Sequence, residues 1–403
     1  MMESGLKKIR WAEKNMKVLG KIRRKFSEEK PFDGIRIGIA LHLEAKTAVL
    51  IETLVEGGAE VYATSCNPLT TQDDVAMAIS EIAEVRAWRG ETEEEYYENL
   101  RFVLRNSDFV IDDGADLIVL NHLEGIGNPK GACEETTTGI RRVNALERER
   151  KLKFPVIGVN DSKMKYLFDN RFGTGQSVID GIMRSTNSLL AGKNFVVIGY
   201  GWCGRGIAMR ARGMGAKVIV CEVDPVRAVE ALLDGFEVMK ISEASRIGDF
   251  FVTATGCKDV LRREHFLEMR EGAILANAGH FNVEINLRDL EEISTEIKEV
   301  RNCVREYRLR NGRRIYLLGE GRLVNLVCGD GHPIEIMDIS FSLQALSMRY
   351  LSENYPEMEN RVYEVPKEIE EEVALEFLMS RGKSIDSLTE EQAKYLEDWT
   401  LGT

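Results

Sequence analysis

Short apolar runs alternate with amphipathic, helix-like stretches along most of the chain. After an amphipathic helix predicted over 6–24, the apolar runs predict strands over 35–41, 60–65, 84–88, 109–111 and 154–159, and the intervening segments predict helices over 45–56, 73–82 and 93–105. Continuous apolar strands separated by helices are typical of a parallel sheet that is covered on both faces. The first half is therefore predicted to be a doubly wound α/β unit.

The same alternation starts again at Asn194. Five further candidate strands follow, in the segments FVVIG, KVIVCE, FEVM, FFVTAT and AILANAG. A helical connector over 173–191 is predicted to join the two units. Roughly the last 40 residues are charged and helical, which is typical of a solvated packing helix. The fold class predicted is α/β, with two doubly wound units and a short helical C-terminal segment.

Composition and charge narrow the class of protein. The chain has 403 residues, of which 44% are hydrophobic and 30% charged, as expected for a folded protein of two or three domains. Its formal net charge of -12 argues against binding to nucleic acid or to an anionic membrane surface. No apolar run approaches the ~18 residues of a membrane span. The first residues contain no signal-peptide core, so a cytoplasmic location is expected.

The seven cysteines do not form a metal-binding or disulfide pattern. They stand at positions 66, 133, 203, 221, 257, 303 and 328, with no Cys-x-x-Cys spacing. An odd number without paired spacing argues against a disulfide framework and against a zinc site. We therefore expect buried free thiols and no bound metal.

The segment from Gly199 to Gly204 fits the pattern G-x-G-x-x-G. An apolar strand precedes it and the helical segment RGIAMRARGMG follows it, which is the context of a dinucleotide-binding loop. The first glycine permits a tight turn, Gly201 lets the backbone approach a pyrophosphate, and Gly204 lets helix and strand pack closely. A tight turn without a ligand is the alternative.

The end of the next strand adds an acidic residue at the expected distance. Glu222 ends the KVIVCE segment, about 20 residues after the loop, where a carboxylate accepts the ribose hydroxyls of NAD and repels a 2′-phosphate. Arg227 lies close enough in sequence to weaken the preference for NAD over NADP. An arginine at the surface, without a role in cofactor binding, is the more common case. The cofactor predicted is NAD.

Polar clusters follow several strands of the first unit. Ligands of doubly wound sheets bind beyond the carboxyl ends of the strands, so clusters at these positions favour a binding site. A single acid pair or histidine is usually structural, but five clusters along one edge favour function. The clusters are His42-Leu-Glu44-Ala-Lys46, Ser65-Cys-Asn67, Asp112-Asp113-Gly-Ala-Asp116, Glu134-Glu135-Thr136-Thr137-Thr138 and Asn160-Asp161-Ser162-Lys163.

Lys165 and Asp169 are spaced i, i+4, so on a helix the carboxylate can orient the ammonium. An exposed ion pair is the alternative interpretation. Of the five histidines, His42, His280 and His332 lie at strand ends or beside glycines, whereas no role is assigned to the other two. The residues alone predict a two-domain NAD enzyme that transfers hydride on a polyhydroxylated substrate.

An ordered set of segments over nearly the whole chain resembles the S-adenosyl-L-homocysteine hydrolase family. The segments that carry the resemblance are LHLEAKTAVL, SCNPLTTQDD, IDDGADL, EETTTG, VNDSKMKYLFDNRFGTGQS, GYGWCGRG, NAGHFNVEI, EGRLVNLVCGDGHP and LTEEQAKYL. The resemblance implies a Rossmann-like NAD domain at 181–331, inserted in a substrate domain formed by 1–180 and 332–380, with a helical segment at 381–403. It also implies a homotetramer or homodimer.

The reaction that the resemblance implies is a thioether hydrolysis with no net redox change. Tightly bound NAD oxidises the ribose 3′-hydroxyl to a ketone, which acidifies the C4′ hydrogen. A base removes that proton, homocysteine leaves from C5′, water adds, and the ketone is reduced again. A transient ketone supplies the electron sink that an unactivated C–S bond lacks.

The resemblance also assigns residues. Lys165, held in place by Asp169, takes the 3′-hydroxyl proton. To act as a base, this lysine needs a pKa that burial has lowered. Asp113 lies next to C4′, and His42 beside the leaving thiol. The implied catalytic residues are His42, Asp113, Glu135, Lys165, Asp169, Asn170 and His280. The implied substrate-binding residues are Glu44, Lys46, Asn160 and His332. The implied NAD contacts are Thr136, Thr137, Thr138, Asn170, Gly199, Gly201, Trp202, Cys203, Gly204, Glu222 and Asn325.

Three departures from the family pattern concern the substrate and the cofactor. Glu44 and Lys46 stand where adenosyl-type members have Thr and Glu. A lysine only donates, which suits the 6-oxo group of hypoxanthine and so S-inosylhomocysteine. The family's Lys…Tyr tail, which reaches a neighbouring subunit's NAD site, has no counterpart in the closing Asp398–Thr403 segment. Arg227 replaces a polar residue near the NAD ribose.

Two other functions are compatible with the fold. A simple NAD-dependent hydroxy-acid dehydrogenase would exchange its cofactor freely and show net redox. A non-catalytic NAD-binding regulator would have no need for Lys165, Asp169, Asp113 or Glu135. Release of homocysteine thiol without added cofactor distinguishes all three.

Overall fold

Two largely parallel sheets organise the chain, in a computed structural model that describes residues 1–400. The strands are β1 (Arg36–Ala40), β2 (Glu60–Thr64), β3 (Glu84–Val85), β4 (Phe109–Asp112), β5 (Ala132–Glu134), β6 (Val156–Gly158), β7 (Asn194–Ile198), β8 (Lys217–Cys221), β9 (Glu237–Val238), β10 (Phe250–Thr253), β11 (Ala273–Asn277), β12 (Ser294–Arg301), β13 (Val304–Leu309), β14 (Arg314–Leu318) and β15 (Val362–Tyr363).

Helices cover both sheets. They are α1 (Met2–Asn15), α2 (Lys17–Glu29), α3 (Ala45–Glu56), α4 (Asp73–Ile79), α5 (Glu93–Arg105), α6 (Asp116–Glu124), α7 (Thr137–Arg148), α8 (Lys163–Lys165), α9 (Thr174–Thr186), α10 (Trp202–Gly213), α11 (Pro225–Leu233), α12 (Ile241–Ala244), α13 (Arg263–Glu268), α14 (Leu287–Glu292), α15 (Val324–Val327), α16 (Ile334–Asn354), α17 (Lys367–Met379) and α18 (Glu390–Glu397). A π-helix, Tyr166–Gly173, joins α8 to α9. No helix within residues 1–400 is long and apolar enough to span a bilayer.

The first sheet has the strand order β15-β6-β5-β4-β1-β2-β3, and every pair in it is parallel. All four residues of β4 are buried, as expected for a strand with helices on both faces. The order reverses between β1 and β4, so the loops that follow these two strands diverge and leave a crevice. His42 and Asp113 follow these two strands and therefore lie at the crevice.

The second sheet has the order β12-β13-β14-β11-β10-β7-β8-β9. Strands β7 to β11 and β14 pair in parallel, and β12 and β13 extend the edge by antiparallel pairing. Here the order reverses between β7 and β10, and the glycine motif follows directly after β7. Both units thus have a doubly wound topology with a switch point, and the predicted fold class is confirmed.

The chain returns to the first sheet after completing the second, because β15 pairs with β6. The second unit is therefore inserted in the first, as the fold class predicts. Helix α9 crosses the predicted boundary at residue 180, and the loop before α16 carries the one at residue 331. These boundaries, with that at residue 380, stay predictions.

Helix α16 anchors the returning segment in the first unit. Its Asp338 is fully buried and accepts hydrogen bonds from the backbone nitrogens of Val18 and Leu19, in the first turn of α2. A carboxylate at a helix N-terminus satisfies amides that have no partner within the helix. Burial raises the pKa of Asp338 to about 6, against the effect of these amides.

Several predicted elements differ in detail. The helix predicted over 6–24 is two helices, because the backbone leaves the helical region at Met16. Strands β5, β12–β14 and β15 were not predicted. All residues of β12 after the first are exposed, so this strand lacks the apolar signal on which the prediction depended. The C-terminal segment holds one short helix, α18, and its last three residues lie outside the described part of the chain.

Candidate active site

A cleft of about 1200 Å³ lies between the carboxyl edges of the two sheets. Both units contribute side chains to its wall, as expected for a ligand site at two facing switch points. The predicted site residues that line it are His42, Glu44, Asp113, Glu135, Thr136, Thr137, Thr138, Lys165, Asp169, Asn170, Gly199, Gly201, Trp202, Cys203, Glu222, His280, Asn325 and His332. Lys46, Asn160 and Gly204 stand behind this wall.

Lys165 lies at the centre of a buried polar network in the cleft. Its Nζ donates to Asn170 Oδ1 at 2.9 Å and lies 3.4 Å from Asp169 Oδ1 and 3.5 Å from Glu135 Oε1. The wider turn of the π-helix that begins at Tyr166 places residue 170, as well as residue 169, against Lys165. The predicted i, i+4 contact forms, and an i, i+5 hydrogen bond accompanies it.

Charges in this network oppose the effect of burial. Burial lowers the pKa of Lys165, but the carboxylates of Asp169, Glu135 and Asp113 outweigh it, so the pKa is raised overall. Burial raises the pKa of Glu135 to about 8 even though Lys165 lowers it. The opposite balance holds for Asp169, because Lys165 and His332 keep its pKa well below the usual value despite burial. Lys165 therefore rests as a cation, and burial alone does not prepare it as a base.

His332 connects this network to the loop between the units. Its Nδ1 lies 2.8 Å from Asp169 Oδ1, and its Nε2 lies 3.2 Å from Thr174 Oγ1. The family resemblance implies that His332 lies over the purine and next to an inter-domain hinge; residues 328–333, between α15 and α16, are called the hinge loop. The structure adds a direct partner, Asp169, and so links the hinge loop to the environment of Lys165.

His42, Asp113 and His280 form a second cluster. His42 Nε2 lies 3.4 Å from Asp113 Oδ2, and His280 Nδ1 lies 3.6 Å from Asp113 Oδ1. Thr70 Oγ1 orients His42 through Nδ1 at 2.7 Å. Burial lowers the pKa of His42 to about 4, although Asp113 raises it, so this imidazole is neutral at pH 7. A neutral imidazole beside a carboxylate can exchange a proton with a leaving group.

The same three side chains have the composition and spacing of a partial metal site. One ligand atom from each of His42, Asp113 and His280 lies within 4.8 Å of the others. Two imidazoles and a carboxylate are suitable ligands for zinc. The expectation of no bound metal stays a prediction.

Asp112 and Glu134 accept hydrogen bonds from backbone N–H groups beneath the site. Asp112 accepts hydrogen bonds from the backbone nitrogens of Asp113 and Ile118, and Glu134 accepts those of Gly114 and Thr136. Burial raises the pKa of Asp112 to about 8 and that of Glu134 above its usual range. These two acids of the predicted clusters hold the loops in place and leave their neighbours Asp113 and Glu135 to face the cleft.

The glycine loop fits a dinucleotide. Gly199 has φ +98°, and a Cβ at Gly204 would lie 1.9 Å from the Gly199 carbonyl oxygen, so both positions require glycine. A Cβ at Gly201 would meet only the Arg227 guanidinium, at 3.8 Å, and this leaves open space for a pyrophosphate. The Glu222 carboxylate accepts hydrogen bonds from the backbone N–H groups of Tyr200, Val223 and Asp224, and these bonds fix it beside the cleft.

Unpartnered polar atoms mark where a ligand fits. Among residues 1–400, His280 Nε2, Glu135 Oε1 and Asn325 Oδ1 are buried and have no hydrogen-bond partner. Buried polar groups are normally paired, so three orphans in one cleft indicate groups that a bound molecule satisfies. The Nδ2 of Asn325 donates to Ser177 Oγ at 3.1 Å, and Asn325 is one of the residues that line the cleft.

Glu44 and Lys46 form a buried pair at the start of α3. Lys46 Nζ lies 2.8 Å from Glu44 Oε2 and donates to the Asp330 carbonyl oxygen at 2.6 Å. Glu44 also caps α3 by accepting the Lys46 backbone N–H at 3.0 Å. Lys46 therefore contacts the same hinge loop that carries His332, and Glu44, rather than Lys46, faces the cleft directly.

Two residues of α16 belong to the network but were not predicted. Ser340 Oγ donates to Asp169 Oδ2 at 2.6 Å, and Gln344 Nε2 donates to Glu135 Oε2 at 2.5 Å. Neither residue belongs to a local motif. Their only sequence signal is a pair of polar side chains, four positions apart, on a largely buried helix.

Comparison with known proteins identifies the family. Two family models match, S-adenosyl-L-homocysteine hydrolase over residues 1–128 and its NAD-binding domain over residues 170–331. A Methanocaldococcus jannaschii protein named S-inosyl-L-homocysteine hydrolase is 61% identical, over 100% of this chain and 98% of its own length. A second protein of that name, from Methanococcus maripaludis, is 60% identical over 99% of this chain and 97% of its own length.

A relative with a different name is almost as similar. The Archaeoglobus fulgidus protein named adenosylhomocysteinase is 59% identical, over 99% of this chain and 100% of its own length. Both names therefore occur among relatives at nearly the same identity. The NAD-binding domain confirms the predicted cofactor, and the relatives confirm that the chain is an enzyme. The chain belongs to the S-adenosyl-L-homocysteine hydrolase family.

Proposed function

We propose that the chain catalyses the reversible hydrolysis of the thioether bond of S-inosyl-L-homocysteine to inosine and L-homocysteine. The reaction is NAD-dependent but redox-neutral, takes place in the cytoplasm, and serves regeneration of S-adenosylmethionine in the methyl cycle. The observation that carries the chemistry is the buried Lys165 between two carboxylates, in the same cleft as the glycine loop. Action as a homotetramer or homodimer is part of the proposal.

Lys165 is the residue that exchanges the proton of the ribose 3′-hydroxyl. NAD, which the glycine loop, Glu222 and Asn325 would hold, would supply a reversible hydride acceptor for C3′, and a ketone at C3′ would make the C4′ hydrogen acidic. Because Lys165 rests as a cation, it must release one proton to solvent before it acts as a base. The neutral amine then takes the hydroxyl proton, and the flanking carboxylates stabilise the ammonium that forms again. Asn170 aims the Nζ atom, and Asp169 keeps the amine at this end of the cleft.

Asp113 and His42 serve the carbon–sulfur bond. Asp113 lies between two imidazoles and takes the position next to C4′, where it receives the proton. The neutral His42 lies beside C5′, exchanges a proton with the leaving thiol and activates the water that replaces it. His280 covers the 5′ side, and the unpartnered Oε1 of Glu135 accepts from the ribose hydroxyls.

The inosyl substrate is favoured by the chemistry of Lys46. Two acceptors, Glu44 and the Asp330 carbonyl, use two of the three ammonium hydrogens. A bound purine must reach past Glu44, which lines the cleft in front of Lys46, to accept the third. A 6-oxo group accepts that hydrogen, whereas the adenine amino group presents a second donor. The alternative is the same chemistry on S-adenosyl-L-homocysteine, in which Lys46 only braces the hinge loop. The two named groups of relatives match these two alternatives.

Rates of thiol release with the two substrates distinguish the alternatives. An unpaired buried polar group costs about 1–3 kcal/mol, so we expect kcat/KM to favour the inosyl substrate by about 10–100-fold or more. Lys46→Met should reduce this preference. Lys8→Met is the control, because Lys8 is exposed on α1 and its ammonium donates to Gln72 and Asp74 at the start of α4. Equal values in the wild-type protein, or a preference for the adenosyl substrate, would contradict the inosyl assignment.

A further inference from the structure

Helix α16 presents two polar side chains, one turn apart, to the two carboxylates that flank Lys165. Ser340 contacts Asp169, and Gln344 contacts Glu135. Both side chains are completely buried, and residues four apart lie on one face of a helix. The returning segment of the chain thus reaches into the centre of the site through a helix that the local motifs do not mark.

The two contacts differ in what else supports the carboxylate. Asp169 has Ser340, the His332 ring at 2.8 Å and Lys165 at 3.4 Å. Glu135 has one hydrogen-bond donor within the described residues, Gln344, since its other oxygen is unpartnered and lies 3.5 Å from Lys165. Loss of Ser340 therefore leaves Asp169 with Lys165 and the His332 ring, whereas loss of Gln344 removes the single side-chain hydrogen bond of Glu135.

The charged and titratable groups that face Glu135 make its ionisation sensitive to that bond. Lys165 is the cation, Asp169 and Asp113 are the neighbouring carboxylates, and the Cys133 thiol lies below. With one cation against two anions in a dry environment, a single donor shifts the balance between the acid and the carboxylate.

The Gln344 amide presents its donor to Glu135. Its Nε2 donates to the carboxylate, and its Oε1 is buried without a partner among residues 1–400. In this orientation the amide stabilises the carboxylate more than the protonated acid. Within the described part of the chain, Gln344 is the one side chain that donates a hydrogen bond to Glu135.

We propose that Gln344 is a positioning residue that holds Glu135 toward the ribose end of the site and sets the pH at which this group ionises. This inference rests on the proposed function, in which Glu135 accepts hydrogen bonds from the ribose hydroxyls as a carboxylate. Gln344 favours the carboxylate and thereby lowers the pH at which the site becomes ready for substrate. Ser340 has no such control, because Asp169 stays ionised without it.

The test is the pH dependence of kcat/KM for thiol release by the NAD-loaded protein. Replacing the donor by an apolar side chain of similar length, in Gln344→Met, should move the acidic limb upward by roughly one pH unit. Gln344→Asn, which is smaller and still polar but too short to reach Glu135, should give the same shift and protects the test against misfolding of the first variant. Ser340→Ala should lower kcat without moving the limb.

Ser347→Ala is the matched control. Ser347 lies on the same helix, is equally buried, and its hydroxyl has no partner among the described residues, so its profile should match the wild type. An acidic limb that stays in place in both Gln344 variants, or moves equally in Ser347→Ala, would overturn the inference. If the wild-type protein releases thiol from neither purine substrate, the proposed function has failed instead, and the two failures are thereby distinguished.

Discussion

Replacement of Lys165 by methionine removes one charge from between two carboxylates while keeping most of the side-chain volume. In the native chain Nζ lies 3.4 Å from Asp169 and 3.5 Å from Glu135. Methionine packs in the same space but neither accepts nor donates a proton. We expect the variant to fold, to bind NAD, and to lose oxidation of the substrate, since removal of a positioned base costs about 10²–10⁴-fold in rate.

The stability cost should be smaller than for an ordinary buried ion pair. Removing one partner of such a pair typically costs about 3–5 kcal/mol because the other charge is stranded. Here Asp169 keeps His332 and Ser340, and Glu135, with a pKa of about 8, is already mostly protonated at pH 7. We therefore expect a loss of about 1–2 kcal/mol at pH 7.

The pH dependence of that loss has a definite sign. A carboxyl group whose pKa is raised on folding loses stability as pH rises through the folded value. Without Lys165 the pKa of Glu135 rises further, because the cation that lowers it is gone. The difference in melting temperature between Lys165→Met and the wild type should therefore grow from pH 7 to pH 9.

The assay is the absorbance of bound NADH after substrate is added, with nucleotide content and melting temperature measured on the same samples. Lys163→Met is the matched control, because its side chain is exposed two residues away on the same short helix. If Lys165→Met forms bound NADH at nearly the wild-type rate, Lys165 is not the base and the assignment of the site is wrong.

Two further predictions concern the cofactor and the fold. Gly204→Ala places a Cβ 1.9 Å from the Gly199 carbonyl oxygen, so the purified variant should contain no bound NAD when nucleotide is measured after denaturation. Gly213→Ala, on the same helix and with open space around it, is the control and should retain NAD. Asp338→Asn removes a buried carboxyl whose pKa is raised to about 6 by burial, a cost to stability that appears as pH rises from about 4 to 6. The melting temperature of Asp338→Asn relative to the wild type should therefore be higher at pH 7 than at pH 4.5, and a difference independent of pH would contradict the assignment.

The sequence predicts the parts of the fold that repeat a simple period. Continuous apolar strands marked both sheets, and the bounds predicted for α3 and α5 agree with the structure, in which Glu44 and Thr92 cap the first turns of these helices. Strand β12 escaped prediction because seven of its eight residues are exposed and charged or polar residues dominate it. The break at Met16 escaped because the apolar residues of α1 and α2 continue on either side of it.

The parts of the site that local motifs form were predicted from the sequence, and several contacts between distant residues were not. The glycine loop and the strand-end clusters are local, and the structure brings the loop and residues of three of the five clusters into one cleft. The contacts that control charge are distant in sequence. Ser340 is 171 residues from Asp169, Gln344 is 209 from Glu135, and the hinge carbonyl that Lys46 meets is 284 residues away. No spacing rule covers such pairs, because only the return of the chain through α16 brings them together.

The central claim, a hydrolysis driven by a retained cofactor with no net redox change, is tested most directly by one measurement. The purified protein, with no NAD added, is given S-inosyl-L-homocysteine or S-adenosyl-L-homocysteine in large excess, and homocysteine thiol and total nucleotide are followed together. We predict many turnovers of thiol per subunit, faster with the inosyl substrate, while the bound nucleotide stays constant and no NADH accumulates in solution. Thiol release that requires added NAD, or that produces NADH in step with substrate consumed, would contradict the claim.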